Sequence, residues 1–444
     1  MSARGEFSSR LGFVLAAAGS AVGLGNIWGF PSQVAQNGGA AFVLVYLILA
    51  FFLAYPVLMA ELIIGRATRA NVVDALGAIT QSKAGRYVGL WGALTASLIL
   101  SFYAIVAGWM LAFFVESTLT LVTDKSSLTW FVDFSFSRNW FFCLLFLSFT
   151  AAIVTGGVRQ GIEKWSVRLM PTLVILIVAL IIYVSLQDGA IDGWRAYLIP
   201  DFSKVTDPEL LISAMGQAFF SMSLGVGTML VYGSYIAKSE NLPALGASVA
   251  LVDIGVAVLA GMLIIPAMYV AQANGVAIFT ESGTLIEGDA LIFNVLPSLF
   301  ASIGPIGVVI ASVFFALMSI AAVTSSISML EVPVSYLVED KAVSRTKAVW
   351  VMTLVILGIS TVIITNFGDL FGLVITVTTQ YSQPLLGLIM CIFVGWVWRR
   401  NAILSELKQG FSGAEQSLFW KIWPVYVKFV CPIIIGVMFI RTVL

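Results

Sequence analysis

Three groups of residues in this chain could do chemistry. Asp253 and Glu61 are carboxylates inside long apolar runs. A charge at membrane depth costs about 2.5–3.5 kcal/mol on insertion scales, so each needs a reason. Ala321, Thr324 and Ser325 are spaced i, i+3 and i+4, which places them on one helix face. Hydroxyls, carbonyls and carboxylates are hard oxygen ligands that suit a small hard cation such as sodium. The third group is a pair of glycine clusters. One is Gly19-Ser20-Ala21-Val22-Gly23-Leu24-Gly25-Asn26, with Gly29-Phe30-Pro31 behind it; the other is Ser221-Met222-Ser223-Leu224-Gly225-Val226-Gly227. Glycine costs a helix about 1 kcal/mol relative to alanine, so each cluster marks a point where a helix can unwind. The freed backbone attracts anions at its amides and cations at its carbonyls.

Plainer readings compete. Gly19-x-x-x-Gly23 is also a helix-packing spacing. Gly23-x-Gly25 lacks the preceding strand and following acid of a nucleotide loop. Glu61 sits within a turn of Gly65-Arg66 and could anchor the inner membrane edge; its sharper role is to accept orphan amides of a broken helix. Glu116 is expected at the interface. Glu331 lies towards the inner part of its run, as a structural residue or on an exit path. Cys143, Cys391 and Cys431 read as packed thiols.

These groups must be positioned by membrane helices. Of 444 residues, 60% are hydrophobic and only 10% charged. A soluble domain carries roughly 25% charged residues. Lysine plus arginine and aspartate plus glutamate both number 23, which excludes a basic nucleic-acid binder. The absence of histidine removes imidazole bases and the usual zinc sites. About 20 apolar residues cross a bilayer, and eleven spans are expected near 11–36, 40–65, 87–122, 140–156, 166–186, 209–236, 243–273, 301–337, 347–365, 369–398 and 418–440. Residues 274–300 form a long loop expected to fold back onto the protein. With the N-terminus inside, 18 of the 23 lysines and arginines face the cytoplasm and 5 face out, which places the C-terminus outside. The expected class is an all-α membrane protein forming a single transporter domain over 1–444. Spans 1–5 (11–186) and 6–10 (209–398) each begin with a broken helix. Five is odd, so the second set runs inverted relative to the first, and span 11 (418–440) is peripheral.

Arg10-Leu11-Gly12, the stretch from Gly19 to Asn26, Phe30-Pro31 and Gln36-Asn37-Gly38-Gly39 closely resemble the start of the neurotransmitter:sodium symporters. Gly216 to Gly225 and Ala321 to Ser326 continue the resemblance, which covers nearly the whole chain and points to the bacterial branch. The resemblance implies a LeuT-type inverted repeat, two sodium ions and an amino acid substrate, in the bacterial inner membrane. It implies a first sodium site from Ala21, Asn26, Ser221 and Asp253. A second comes from Gly19, Val22, Ala321, Thr324 and Ser325. Substrate would meet Ser20, Ala21, Leu24, Gly25, Ile99, Tyr103, Phe220, Ser221, Ser223, Val226, Ser325, Ser326 and Met329. Phe220 and Tyr103 resemble the lid, Arg4 and Asp340 the inner gate, with Tyr235 nearby. The family's basic residue before Phe30-Pro31 is here Gly29, so Asp369 lacks the usual outer partner. Gly23 replaces the acid of monoamine carriers, so the substrate should bring its own carboxylate. A fixed carboxylate at Asp253 makes chloride unnecessary by charge counting. Proton counter-transport through Asp253 is a further expectation. The contrary class is a sensor or channel on the same fold. An enzyme is not expected, because no nucleophile–base pair or cofactor loop occurs.

Overall fold

A computed structural model describes residues 5–123, 135–279, 285, 296–302 and 305–443. These residues are predominantly helical, with an isolated bridge between Phe279 and Leu285. Among them, nine helices are long and apolar enough to cross a membrane: Ala40–Thr68, Lys83–Leu121, Phe136–Thr155, Val158–Ser185, Leu242–Ala273, Ile306–Glu339, Arg345–Thr365, Phe367–Val397 and Leu418–Thr442. A bent pair, Arg10–Ala21 with Gly25–Gln36, makes a tenth if read as one crossing. The remaining expected span, 209–236, is divided between Pro208–Ser221 and Thr228–Gly233.

Local chemistry explains the two interruptions. Ser9 caps the first helix by accepting the Gly12 amide at 3.0 Å, the usual way to satisfy a first-turn donor. That helix stops where Val22 turns extended (φ −68°, ψ 106°) and restarts at Gly25, bent by 56°. In span 6, Asp207 accepts the Glu209 amide at 2.9 Å and Pro208 opens the helix. It ends at Ser221, and Ser223, Gly225 and Gly227 follow with φ of 50°, 86° and 82°. Gly225 has a second constraint. A Cβ there would lie 2.3 Å from the carbonyl oxygen of Gln383 on span 10, so only glycine lets the two backbones meet.

Spans 3 and 8 pack along one another in the core, with Phe113 and Phe315 stacked at 4.6 Å. Glu116, expected at the interface, is only 6% exposed; span 3 continues to Leu121, so this turn is still packed against protein. Of the 274–300 loop, residues 290–293 lie outside the described residues. Its end, helix Leu296–Ser302, does fold back, with Phe300 set 5.7 Å from Phe314. Cys143, Cys391 and Cys431 are buried free thiols.

Glu61 on span 2 is fully buried and braces the span 6 break. It accepts the Gly225 amide at 2.6 Å and the Leu230 amide at 3.3 Å. Orphaning a buried donor costs about 1–3 kcal/mol. Glu61→Leu is therefore expected to destabilise the protein by at least that order. A clearly lowered midpoint in detergent thermal unfolding checks this, whereas Glu61→Gln, which keeps an acceptor, should lose less.

Candidate substrate and cation site

The two interruptions face each other across a central cavity of about 440 Å³. Span 1 lines it with Ala21, Leu24 and Gly25, and span 3 with Ile99 and Tyr103. Span 6 contributes Phe220, Ser221, Ser223 and Val226, and span 8 contributes Ser325 and Met329. Two expected lining residues are turned away. Ser20 donates its hydroxyl to Ser328 Oγ at 2.6 Å, and only its backbone serves the break, accepting Ser223 Oγ at 3.2 Å. Ser326 Oγ pairs with Thr150 Oγ1 at 2.8 Å and donates to the Val323 carbonyl at 2.9 Å. Both hydroxyls are held by neighbouring helices and do not reach the cavity. Gly23 and Gln383 line it in addition.

One oxygen cluster sits where span 1, span 6 and span 7 meet. Asn26 Nδ2 donates to Asp253 Oδ1 and to Ser221 Oγ, both at 2.8 Å. Ser221 Oγ donates to Asp253 Oδ2 at 2.8 Å. Asn26 Oδ1 accepts the Gly23 amide at 3.2 Å. Asp253, Asn26 and Ser221 are at most 1% exposed. A buried carboxylate beside a hydroxyl is a competent seat for a monovalent cation; the Asn26 carboxamide here turns its Nδ2 to the carboxylate and its oxygen to the Gly23 amide. Sequence reasoning missed Tyr46, whose hydroxyl donates to Ser221 Oγ at 3.4 Å. Its signal was a tyrosine hydroxyl within the apolar run of span 2, which Tyr55 shares.

The second cluster joins span 1 to span 8. Ser325 Oγ lies 3.0 Å from the Val22 carbonyl and 3.4 Å from that of Gly19. Thr324 Oγ1 lies 3.0 Å from the Ala321 carbonyl. A Cβ on Gly19 would come within 3.2 Å of the Thr324 side chain, so these elements touch. The set is all oxygen and uncharged, a composition that suits sodium over a transition metal.

The anion-binding side is equally specific. Tyr103 Oη accepts the Leu24 amide at 3.3 Å. Gly23 leaves no room for a side chain, because its Cβ would stand 2.5 Å from Ser325 Oγ and 2.9 Å from Tyr103 Oη. The Phe220 ring lies directly over Gly25, 2.8 Å from where a Cβ would project. Beyond Phe220 opens a second, wider cavity of about 1170 Å³, which Phe220 and Gln383 also line. Phe220 is thus a partition between the two spaces.

The gates differ from expectation. Asp369 lies exposed in the first turn of Phe367–Ile375 and makes no ion pair among the described residues. With glycine at 29 there is no cation to draw it in. Instead, Gln217 on span 6 faces Gly29 and donates Nε2 to the Gly25 carbonyl at 2.9 Å, a neutral tie that sequence reasoning missed. On the basic side, Arg4 lies outside the described residues. Asp340 pairs with Lys341 Nζ and Arg86 Nη2, both at 2.8 Å. Those two cations hold its carboxyl down at about 2, so it stays ionised across the neutral range. Tyr235 donates its hydroxyl to Glu331 Oε1 at 2.7 Å, and Arg345 grips the same carboxylate at 3.1 and 2.5 Å. Arg66, fully buried, bonds Glu406 Oε1 at 2.8 Å, and Arg69 pairs with Glu6. Phe7 packs its ring against Phe13, Tyr232 and Tyr235 beneath the site. This side is closed.

Comparison with known proteins decides what these parts belong to. The family model described as "Sodium:neurotransmitter symporter family" matches residues 4–138 and 135–444. The chain belongs to that family. It is a sodium-dependent transporter rather than an enzyme. It is 32% identical, over 99% of its length and 97% of the relative's, to the uncharacterized sodium-dependent transporter YhdH of Bacillus subtilis. An uncharacterized sodium-dependent transporter of Haemophilus influenzae is 34% identical, with 98% of each chain covered. The crystal structure of MhsT in complex with L-phenylalanine superposes with a TM-score of 0.84 at 35% identity, over 99% of this chain and all of that one. The transporter therefore has the all-α membrane fold of that structure.

The Glu331–Arg345 pair gives a test of the closed side. Arg345→Ala leaves Glu331 buried beside Tyr235 alone, and loss of one partner of a buried pair costs about 3–5 kcal/mol. A cysteine introduced at Tyr232, with Cys143, Cys391 and Cys431 replaced by alanine, is expected to react faster with a thiol reagent applied from the basic side. Equal rates with and without Arg345 would show that the pair does not hold this face shut.

Proposed function

We propose that the transporter imports a hydrophobic or aromatic amino acid together with two sodium ions, without chloride, by alternating access. The observation that carries this reading is the central cavity, set between two broken helices and flanked by two separate oxygen clusters. The substrate's carboxylate would meet the span 1 amides and the hydroxyl of Tyr103, while its amine would meet carbonyls and Ser223. Ile99, Val226 and Met329 offer its side chain an apolar wall. The L-phenylalanine bound in the solved relative supports an amino acid of this kind. Phe220 closes over the ligand. Spans 1–5 and 6–10 act as the inverted halves, and the positive-inside distribution supports a cytoplasmic basic face in a bacterial inner membrane.

Charge sets the energetics. The zwitterion carries no net charge, so the ions supply the electrical work. Each sodium crossing about 100 mV contributes roughly 2.3 kcal/mol. Two supply about 4.6 kcal/mol, of which a proton carried back outwards costs about 2.3, leaving roughly a fortyfold accumulation from the electrical term at about 1.4 kcal/mol per decade. Asp253 provides the fixed negative charge beside the first ion, and in the inward-facing, empty carrier it takes a proton back outwards.

Reconstituted protein in liposomes tests the whole reading. Uptake of a hydrophobic amino acid above equilibrium, dependent on sodium and indifferent to replacement of chloride by gluconate, is expected. Uptake that never exceeds equilibrium marks a channel, and binding without flux marks a sensor. Asp253→Asn should lose sodium-driven uptake or make it dependent on chloride, and Thr324→Ala should raise the half-saturating sodium concentration severalfold. Internal alkalinisation linked to sodium and substrate checks the proton step; a silent pH indicator removes it.

A further inference from the structure

Gln383 is a polar residue of the central cavity that neither the sodium clusters nor the lid accounts for. It is 2% exposed, and its carboxamide Oε1 is buried with no hydrogen-bond partner among the described residues. It lines the central cavity beside Val226 and lines the wider cavity beyond Phe220 as well. Its backbone is fixed from two directions. The Gln383 carbonyl abuts Gly225 at the span 6 break, and the neighbouring Ser382 accepts Trp91 Nε1 at 3.3 Å. Span 10 also reaches Gln383 through a widened, π-type turn at Thr376–Ser382, and Pro384 follows immediately. Such turns re-aim side chains and recur at functional positions.

A buried carbonyl-type oxygen without a donor is costly, and native proteins rarely keep one without a use. Ile99, Val226 and Met329 carry no donor, the cavity hydroxyls of Ser221, Ser223 and Ser325 are directed to Asp253 and to the Ser20 and Val22 carbonyls, and that of Tyr103 lies against the Leu24 amide. The missing donor is therefore supplied by what enters the cavity. The ligand's amine and carboxylate are already matched by the helix breaks, which leaves the far end of its side chain. We propose that Gln383 is a specificity-determining residue that accepts a hydrogen bond from the substrate side chain. The transporter then prefers rings bearing O–H or N–H, the phenol of tyrosine and the indole of tryptophan, over phenylalanine and leucine. This inference rests on the amino acid reading of the cavity. A site built to hydrogen-bond a substrate group discriminates strongly against the analogue that lacks it, because its own polar atom is left unpaired.

Displacement of radiolabelled leucine from purified transporter in sodium tests it with two matched pairs: tyrosine against phenylalanine, and tryptophan against 3-benzothienylalanine, in which sulfur replaces the N–H. The wild-type protein is expected to favour the donor of each pair by about tenfold, a difference of about 1.4 kcal/mol. Gln383→Leu should bring both ratios close to one. Gln383→Glu, which keeps an acceptor, should preserve the preference. Ratios near one in the wild type, or ratios unchanged in Gln383→Leu, overturn the proposal. So does an equal loss for every ligand, the mark of a purely structural role. The wild-type ratios decide alone if a variant fails to fold. Absence of any amino acid binding by the wild type is a different result: it removes the reading of the cavity, and this inference with it.

Discussion

Everything in this transporter follows from one constraint. A backbone amide or carbonyl that loses its helical partner within a bilayer must find another, since lipid offers none. Spans 1 and 6 both break that rule locally and repair it by reaching across to other helices. Glu61 takes two amides of the span 6 break. Asn26 takes the Gly23 amide, and Gln217 and Ser325 satisfy carbonyls of span 1. Ser223 donates across to the Ser20 carbonyl. The breaks are thus braced against one another by side chains.

The two oxygen clusters divide this bracing unequally. Asp253 gives the first a carboxylate and draws side chains of spans 1 and 6 to span 7. The second has no charge and ties span 1 to span 8 alone. An ion in the proposed first seat would lock the two broken helices together. One in the second would fix span 1 against the rest of the bundle.

Much of this was legible in the residues. The apolar runs marked the helices to within a few positions, because a bilayer demands long uninterrupted stretches. Glycines 23, 25, 225 and 227 marked the interruptions, and the hydroxyls of span 8 marked one oxygen cluster. Partners that depend on packing were hidden. Ser20 and Ser326 sit in the right segments, yet their hydroxyls face other helices. Tyr46, Gln217 and Gln383 are polar residues within membrane spans, and nothing in their spacing says which helix they meet. The gate was least legible. Ion pairs between distant loops, such as Arg86 with Asp340 and Arg345 with Glu331, follow from tertiary placement alone.

The ion pairs of the basic face carry one more consequence. Arg66, Arg69, Arg86 and Arg345 each bind an acid on another helix or loop, whereas the opposite doorway rests on one aromatic ring and a neutral amide tie. The two doors therefore differ in weight. Opening the basic side must rupture several charge contacts together, whereas opening the other must shift the Phe220 ring and the Gln217 tie.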